Sequence, residues 1–255
     1  MTATLVVAGY TRQVFLHWLT GWSWGLTLLA NQAVAPLIGL AIWTQATGGR
    51  SDVATYYVAM LVVGRFVAGY SAHTFSGTIY NGELTDALLR PQPVVLSQLG
   101  WYLGISAFDL IFLPPLLIAV ALLAPVHIDA TDLALTVPAL VLAAVASFCF
   151  DFALACSAFW TQRYFATTAA GGRLVFLFGG VAAPIPLLPD GLRDVFSVLP
   201  FRWMRGYPAE VAAGLVPSGE LFSNLATQAA WVGVLAGLAT VVYRAGVRRY
   251  IAVGG

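Results

Sequence analysis

Lysine is absent from this chain of 255 residues, and all 12 of its basic side chains are arginine. Without lysine there is no Walker A sequence to cradle nucleotide phosphates and no amine to form a Schiff base. Charge is scarce as well: 9% of residues are charged, against roughly a quarter in soluble domains. With 60% apolar residues and a mean hydropathy of +0.84, the chain cannot cover itself with polar surface, and its solvent is a bilayer. The 12 arginines are offset by 11 acids for a net charge of +1. No basic face is left to neutralise phosphates, which excludes nucleic acid as a partner. Cys149 and Cys156, the two cysteines, lie seven apart in an apolar run, neither a redox nor a zinc spacing, and read as small buried apolar residues. His17, His73 and His127 are scattered, with no second ligand at metal-binding spacing, so no metal site is expected.

Long uncharged runs are what the chain does have. Six approach the ~20 residues that a helix needs to cross the hydrocarbon, at 22–43, 53–72, 97–123, 133–159, 172–189 and 221–243. The expected fold is an all-α integral membrane protein with six transmembrane helices in a single domain. Arg65, Asp109 and Asp151 interrupt the second, third and fourth runs, and Pro184, Pro186 and Pro189 break the fifth. An even count of spans puts both termini on one side. On that side lie Arg12, Arg90, Arg163, Arg173, Arg244, Arg248 and Arg249, and on the other Arg50, Arg193, Arg202 and Arg205. The positive-inside rule then places both termini in the cytoplasm.

Three segments are not spans. Residues 1–21 lack the basic start and small-residue cleavage site of a signal peptide. Tyr10, Val14, Trp18 and Trp22 share one helical face there with Phe15 and Leu19, opposite Arg12, Gln13, His17 and Thr20, the pattern of a helix lying in the membrane interface. The cytoplasmic segment 74–93 contains a short helix. Asn81 is suited to cap it, Glu83 and Asp86 complement its dipole, and Pro91 ends it, leaving Arg90 at a fixed corner. Its apolar face either lies on lipid or serves a partner. The outer segment 188–220 reads as two short helices, 190–199 and 208–214, separated by Pro200 and too short to cross. A pair of this kind can dip into the outer leaflet if its backbone ends are buried in protein or wet.

Two of these segments carry a resemblance. Gly82-Glu83-Leu84-Thr85-Asp86-Ala87-Leu88-Leu89-Arg90-Pro91, and Leu199-Pro200-Phe201 followed by Tyr207-Pro208-Ala209-Glu210 and Gly214, are similar to segments of the permease subunits of type-2 ABC exporters, in the six-span branch of about this length. The resemblance implies a transmembrane subunit with no nucleotide site of its own. It implies two copies of an ABC ATPase subunit, which hold ATP and Mg, and a second permease, identical or homologous. No cofactor is expected in this chain. The helix at 82–89 would be a coupling helix, with Glu83, Asp86 and Arg90 making polar contacts to the ATPase, Leu84 and Leu88 filling its groove, and Pro91 ending the turn. Residues 8–20 would form a connecting helix, 190–214 an outer re-entrant hairpin, and the first and fifth spans the permease dimer interface. The implied location is a bacterial inner membrane, with lipid around the bundle and a small hydrophobic or amphipathic compound as exported cargo.

Charges inside a membrane are expensive, at ~3 kcal/mol each on insertion scales, and face protein or water. Arg65 and Asp109 fall at similar depths, so a salt bridge between neighbouring spans is one reading, and binding of a cationic substrate by Asp109 or Asp151 is the other. Asn31 and Gln32 in the first span, beside Pro36, either pack across an interface or touch substrate. A secondary transporter or channel working alone would show matched broken helices in two halves, and a membrane enzyme would show clustered His, acids or serine; neither pattern stands out. Alkaline phosphatase fused after Gly255 will be inactive if the termini are cytoplasmic, and activity in that fusion would reverse the topology.

Overall fold

The computed structural model describes residues 3–67, 70–127 and 129–250. The chain is 83% helical, with no strand among the described residues. Its helices are, in order, α1 (Ala3–Thr20), α2 (Trp22–Ala46), α3 (Ser51–Phe66), α4 (Tyr70–Tyr80), α5 (Leu84–Leu88), α6 (Val94–Leu123), α7 (Ala130–Ala155), α8 (Tyr164–Phe178), α9 (Asp190–Val198), α10 (Pro200–Met204), α11 (Gly206–Ala212) and α12 (Leu221–Val247).

Among the described residues, four helical stretches are long and apolar enough to cross a membrane: Gly25–Ala46, Val94–Leu123, Ala130–Phe159 and Ser218–Val247. They coincide with the first, third, fourth and sixth expected spans. Asp129 starts the third of these stretches by accepting a hydrogen bond from the Thr131 amide at 2.7 Å. That bond also holds its carboxyl below the usual carboxylate range.

The other two expected spans are shortened. α3 has 16 residues and ends at Phe66 instead of running on to residue 72; residues 68 and 69 lie outside the described part. α8 has 15 residues, begins at Tyr164, and stops at Gly179. The stretch 172–189 is therefore the end of one short helix followed by turns, because Pro184 and Pro186 have no N–H to extend it. Gly180 turns the chain with φ +83°, a conformation that favours glycine. The Tyr56 hydroxyl donates to its carbonyl at 2.7 Å and anchors the broken end to α3.

α1 runs lengthwise and parallel to the first half of α6. Contact is close because Gly100 and Gly104 present no side chains: a Cβ on Gly104 would lie 2.7 Å from the Val14 Cβ and 2.9 Å from the Thr11 carbonyl oxygen. This is the small-xxx-small packing by which membrane helices approach one another. Further along, the Trp18 and Phe108 rings lie 5.9 Å apart.

α10 and α11 fold against α7. Val211 and Tyr207 pack with Ala139, Ala209 with Ala143, and Met204 with Ala146. Followed backwards from α11 to α10, the segment thus descends α7 to Ser147, whose hydroxyl donates to the Met204 carbonyl at 3.4 Å. Ser147 lies 17 residues into α7, about 25 Å from its start at a 1.5 Å rise.

Gly104→Leu should force α1 off α6. An overpacked contact costs about 1–3 kcal/mol, and the expected result is a lower melting temperature of the purified protein together with faster proteolysis within residues 3–20. Unchanged melting and protection would show that this seam is not close-packed.

Candidate functional site

A cavity of about 300 Å³ lies among α2, α3, α4, α7, α8 and α10. Its polar lining includes Asn31, Gln32, His73, Asp151, Thr168 and Arg205. Asn31 and Gln32 come from α2 one turn before Pro36, which lies inside that helix. Lacking an N–H, Pro36 cannot take the backbone bond to the Gln32 carbonyl. The side-chain nitrogen and oxygen of Gln32 are themselves buried without a hydrogen-bond partner. His73 Nδ1 and the Thr168 hydroxyl lie 3.0 Å apart, joining α4 to α8 across the cavity wall. Arg205 donates to the Val67 carbonyl at 3.2 Å and lines the cavity together with Asp151. Among the lining residues, the exposed ones include Asn31 on α2 and Gly172 and Phe176 on α8. The rim of the cavity is thus made by these two helices.

Of the intramembrane groups singled out in the sequence, Asn31, Gln32 and Asp151 come together in this cavity. Arg65 and Asp109 do not. They pair with each other at 3.9 Å, with side chains only 1% and 4% exposed, between α3 and α6. Asp109 of α6 is therefore held by Arg65 of α3.

A second buried ion pair was not foreseen. Arg202 on α10 grips Glu210 on α11 with both arms of its guanidinium, Nε to Oε1 at 3.1 Å and Nη2 to Oε2 at 2.6 Å, and Glu210 is 0% exposed. Arg202 also donates to the Ser197 hydroxyl at 3.1 Å and lies 5.0 Å over the Trp203 ring. Gln228 of α12 is fully buried. Its amide nitrogen donates to the Trp203 carbonyl at 2.8 Å and the Ala139 carbonyl at 2.9 Å, fastening the tip of the segment between α7 and α12. The available signal was that Glu210 is the lone acid between Asp194 and Glu220, in an otherwise apolar stretch eight residues from Arg202. Counting Arg202 among outer loop charges missed that it lies inside the fold.

At the opposite end, α4 leads into α5 through Gly82, which has φ +83°. Two expectations for this elbow are corrected. Asn81 is exposed and does not cap α5; Glu83 holds the N-cap position, with no side-chain cap bond, because the turn at Gly82 moves the helix start to Leu84. Leu84 is 0% exposed, packed in a cluster with Phe75, Ile79, Val94 and Phe152, so it fastens the elbow to its own chain and cannot fill another subunit's groove. Glu83, Asp86, Leu88, Arg90 and Pro91 are exposed. Leu89, not singled out from the sequence, is the most exposed apolar residue of the elbow at 81%, against 39% for Leu88. Arg90 donates to the Tyr10 hydroxyl at 2.8 Å, which also accepts from Gln92 at 3.0 Å. Tyr250 donates to the Gly82 carbonyl at 2.7 Å from the end of the described chain. Two tyrosines, one near each terminus, hold the elbow.

Several apolar helices of crossing length define a multi-pass membrane protein. A family profile described as ABC-2 family transporter protein matches residues 41–254, and the chain belongs to that family as the transmembrane component of an ABC transporter, a kind of subunit that works with ABC ATPases. No curated protein matches the chain.

Removing one partner of a buried ion pair leaves an uncompensated charge and costs about 3–5 kcal/mol, whereas replacing both with apolar residues is far milder. Arg202→Met should therefore sharply reduce the yield of folded protein, and adding Glu210→Leu should recover much of it, as measured by fluorescence-detected size exclusion. Equal losses in the single and double variants would show that the pair is not what fixes the α10–α11 tip.

Proposed function

We propose that this chain is the permease subunit of an ATP-driven exporter in a bacterial inner membrane. A second permease, identical or homologous, pairs with it, and two ABC ATPase subunits carrying ATP and Mg dock on its cytoplasmic side. Both termini are cytoplasmic, α3 and α8 complete the six spans, and α9–α11 enter from the outer side and return. The cargo is a small hydrophobic or amphipathic compound, and the cavity rimmed by α2 and α8 forms half of its path, closed by the second permease.

One observation carries this reading. α4 bears Ala72 and His73 of the cavity wall near its start and joins the exposed elbow at its end, 11 residues or about 16 Å away. A force applied to Glu83, Asp86 and Leu89 reaches the cavity along one rigid helix. It also reaches α1 through the Arg90–Tyr10 bond, and α7 through Leu84 and Phe152. ATP binding closes the ATPase pair, draws the two elbows together, and shifts α4 and α8 relative to α2, so that the cavity changes from inward to outward access. Nucleotide biases a balance between two packings, which requires different contacts in each.

The reading is tested by Leu89→Asp combined with Asp86→Arg in the complex reconstituted with its ATPase. Transport should fall at least about tenfold, the scale of 1–3 kcal/mol of lost coupling, while melting behaviour and the cavity are retained. Transport at the original rate would remove the elbow from the coupling route.

A further inference from the structure

Resting on the reading of the cavity as half of a cargo path, we infer that it selects cargo with an electrically neutral head that both donates and accepts hydrogen bonds, an amide in particular, on an apolar body. The lining sets this preference through three groups. Gln32 presents a buried amide whose donor and acceptor are both without a partner. Its backbone carbonyl is one that Pro36 cannot serve. Asp151 and Arg205 put a carboxyl and a guanidinium on the lining of the same cavity.

Both parts of the lining bear on what can enter. A cationic head drawn to Asp151 meets Arg205, and an anionic head drawn to Arg205 meets Asp151, so neither sign finds an uncompensated partner for the hydration it loses. A neutral amide loses less hydration and recovers it at Gln32, whose buried groups would otherwise stay unsatisfied. The remaining walls are apolar, with Ala35, Val67, Val175, Phe176, Val181 and Met204. An apolar tail can leave over the rim at Gly172 and Phe176. The volume of about 300 Å³ suits a head group with the first part of a tail, at the small end of ligand sites.

The test uses three amphiphiles of equal chain length, N-dodecylacetamide, protonated dodecylamine and dodecanoate. Each is titrated below its micellar concentration onto the permease–ATPase complex in nanodiscs, with stimulated ATP hydrolysis as the readout. Half-maximal stimulation by the amide should come at a concentration about tenfold lower than for either charged probe, a difference of 1.4 kcal/mol. Gln32→Leu should erase that preference, and Gln32→Glu should move it to dodecylamine, a gain that misfolding cannot produce. Preference for a charged probe, equal response to all three, no response to the amide, or an unaltered order in the Gln32→Glu complex would each overturn the inference. A plug separates this from the underlying reading. A Cβ at Gly172 meets nothing within 4 Å, so Gly172→Trp should fill the cavity without disturbing the helices and abolish stimulation. Stimulation that survives the plug unchanged rejects the cavity as a path altogether. Stimulation that the plug abolishes, but that is equal for all three heads before it, rejects only the head selectivity.

Discussion

Non-helical backbone inside a low-dielectric bundle must find all its hydrogen-bond partners within the protein, and this constraint organises the interior here. α10 and α11 are short helices of five and seven residues, with many terminal N–H and C=O groups for their length. Their surroundings meet part of that need with polar side chains from other helices, Gln228 and Ser147 on the carbonyls of Trp203 and Met204, while Arg202 of α10 closes on Glu210 of α11. The broken end of α8 is treated the same way, by Tyr56 on the Gly180 carbonyl. Buried polar groups thus appear where the backbone is irregular, and the cavity lies beside that irregular region, against Met204 and Arg205.

The same economy separates the two kinds of buried charge. Arg65–Asp109 and Arg202–Glu210 are sealed pairs with little exposure on either side. Asp151 and Arg205 instead face a space large enough for a ligand. Each acid shares its surroundings with an arginine, yet only the second arrangement leaves room for a third party. That difference separates charge sealed inside the packing from charge that faces open space.

The elbow at α5 shows how a small exposed element acquires stiffness. α5 is a five-residue helix, far below the length at which a helix is stable alone. Leu84 buried beneath it and the bonds from Tyr10 and Tyr250 supply the rigidity that its own backbone lacks. Tied to α1, α4 and the chain just after α12, the elbow is held as part of the bundle.

Hydropathy is additive along the chain, so the all-α membrane class and the four helices of crossing length were legible in composition and run length alone. The end of the elbow at Pro91 and the break at Pro200 were legible for a related reason, since proline acts on its own local backbone; the turn at Gly82 and the third short helix, α10 between the two expected in 188–220, were not. What the order of residues did not disclose is which side chains meet. Leu84 and Leu89 look equally apolar in sequence, and only packing buries the first and exposes the second. Arg202 with Glu210, Gln228 with Trp203, and Gln32 with Asp151 are brought together by the way α10 and α11 descend α7 and by the break after α8. The sequence by itself determined the solvent and the local turns, because these depend on each residue's own transfer free energy and backbone preference. The tertiary structure alone decided the ion pairs, the cavity and the grip on the elbow, because each depends on distances between residues far apart in the chain.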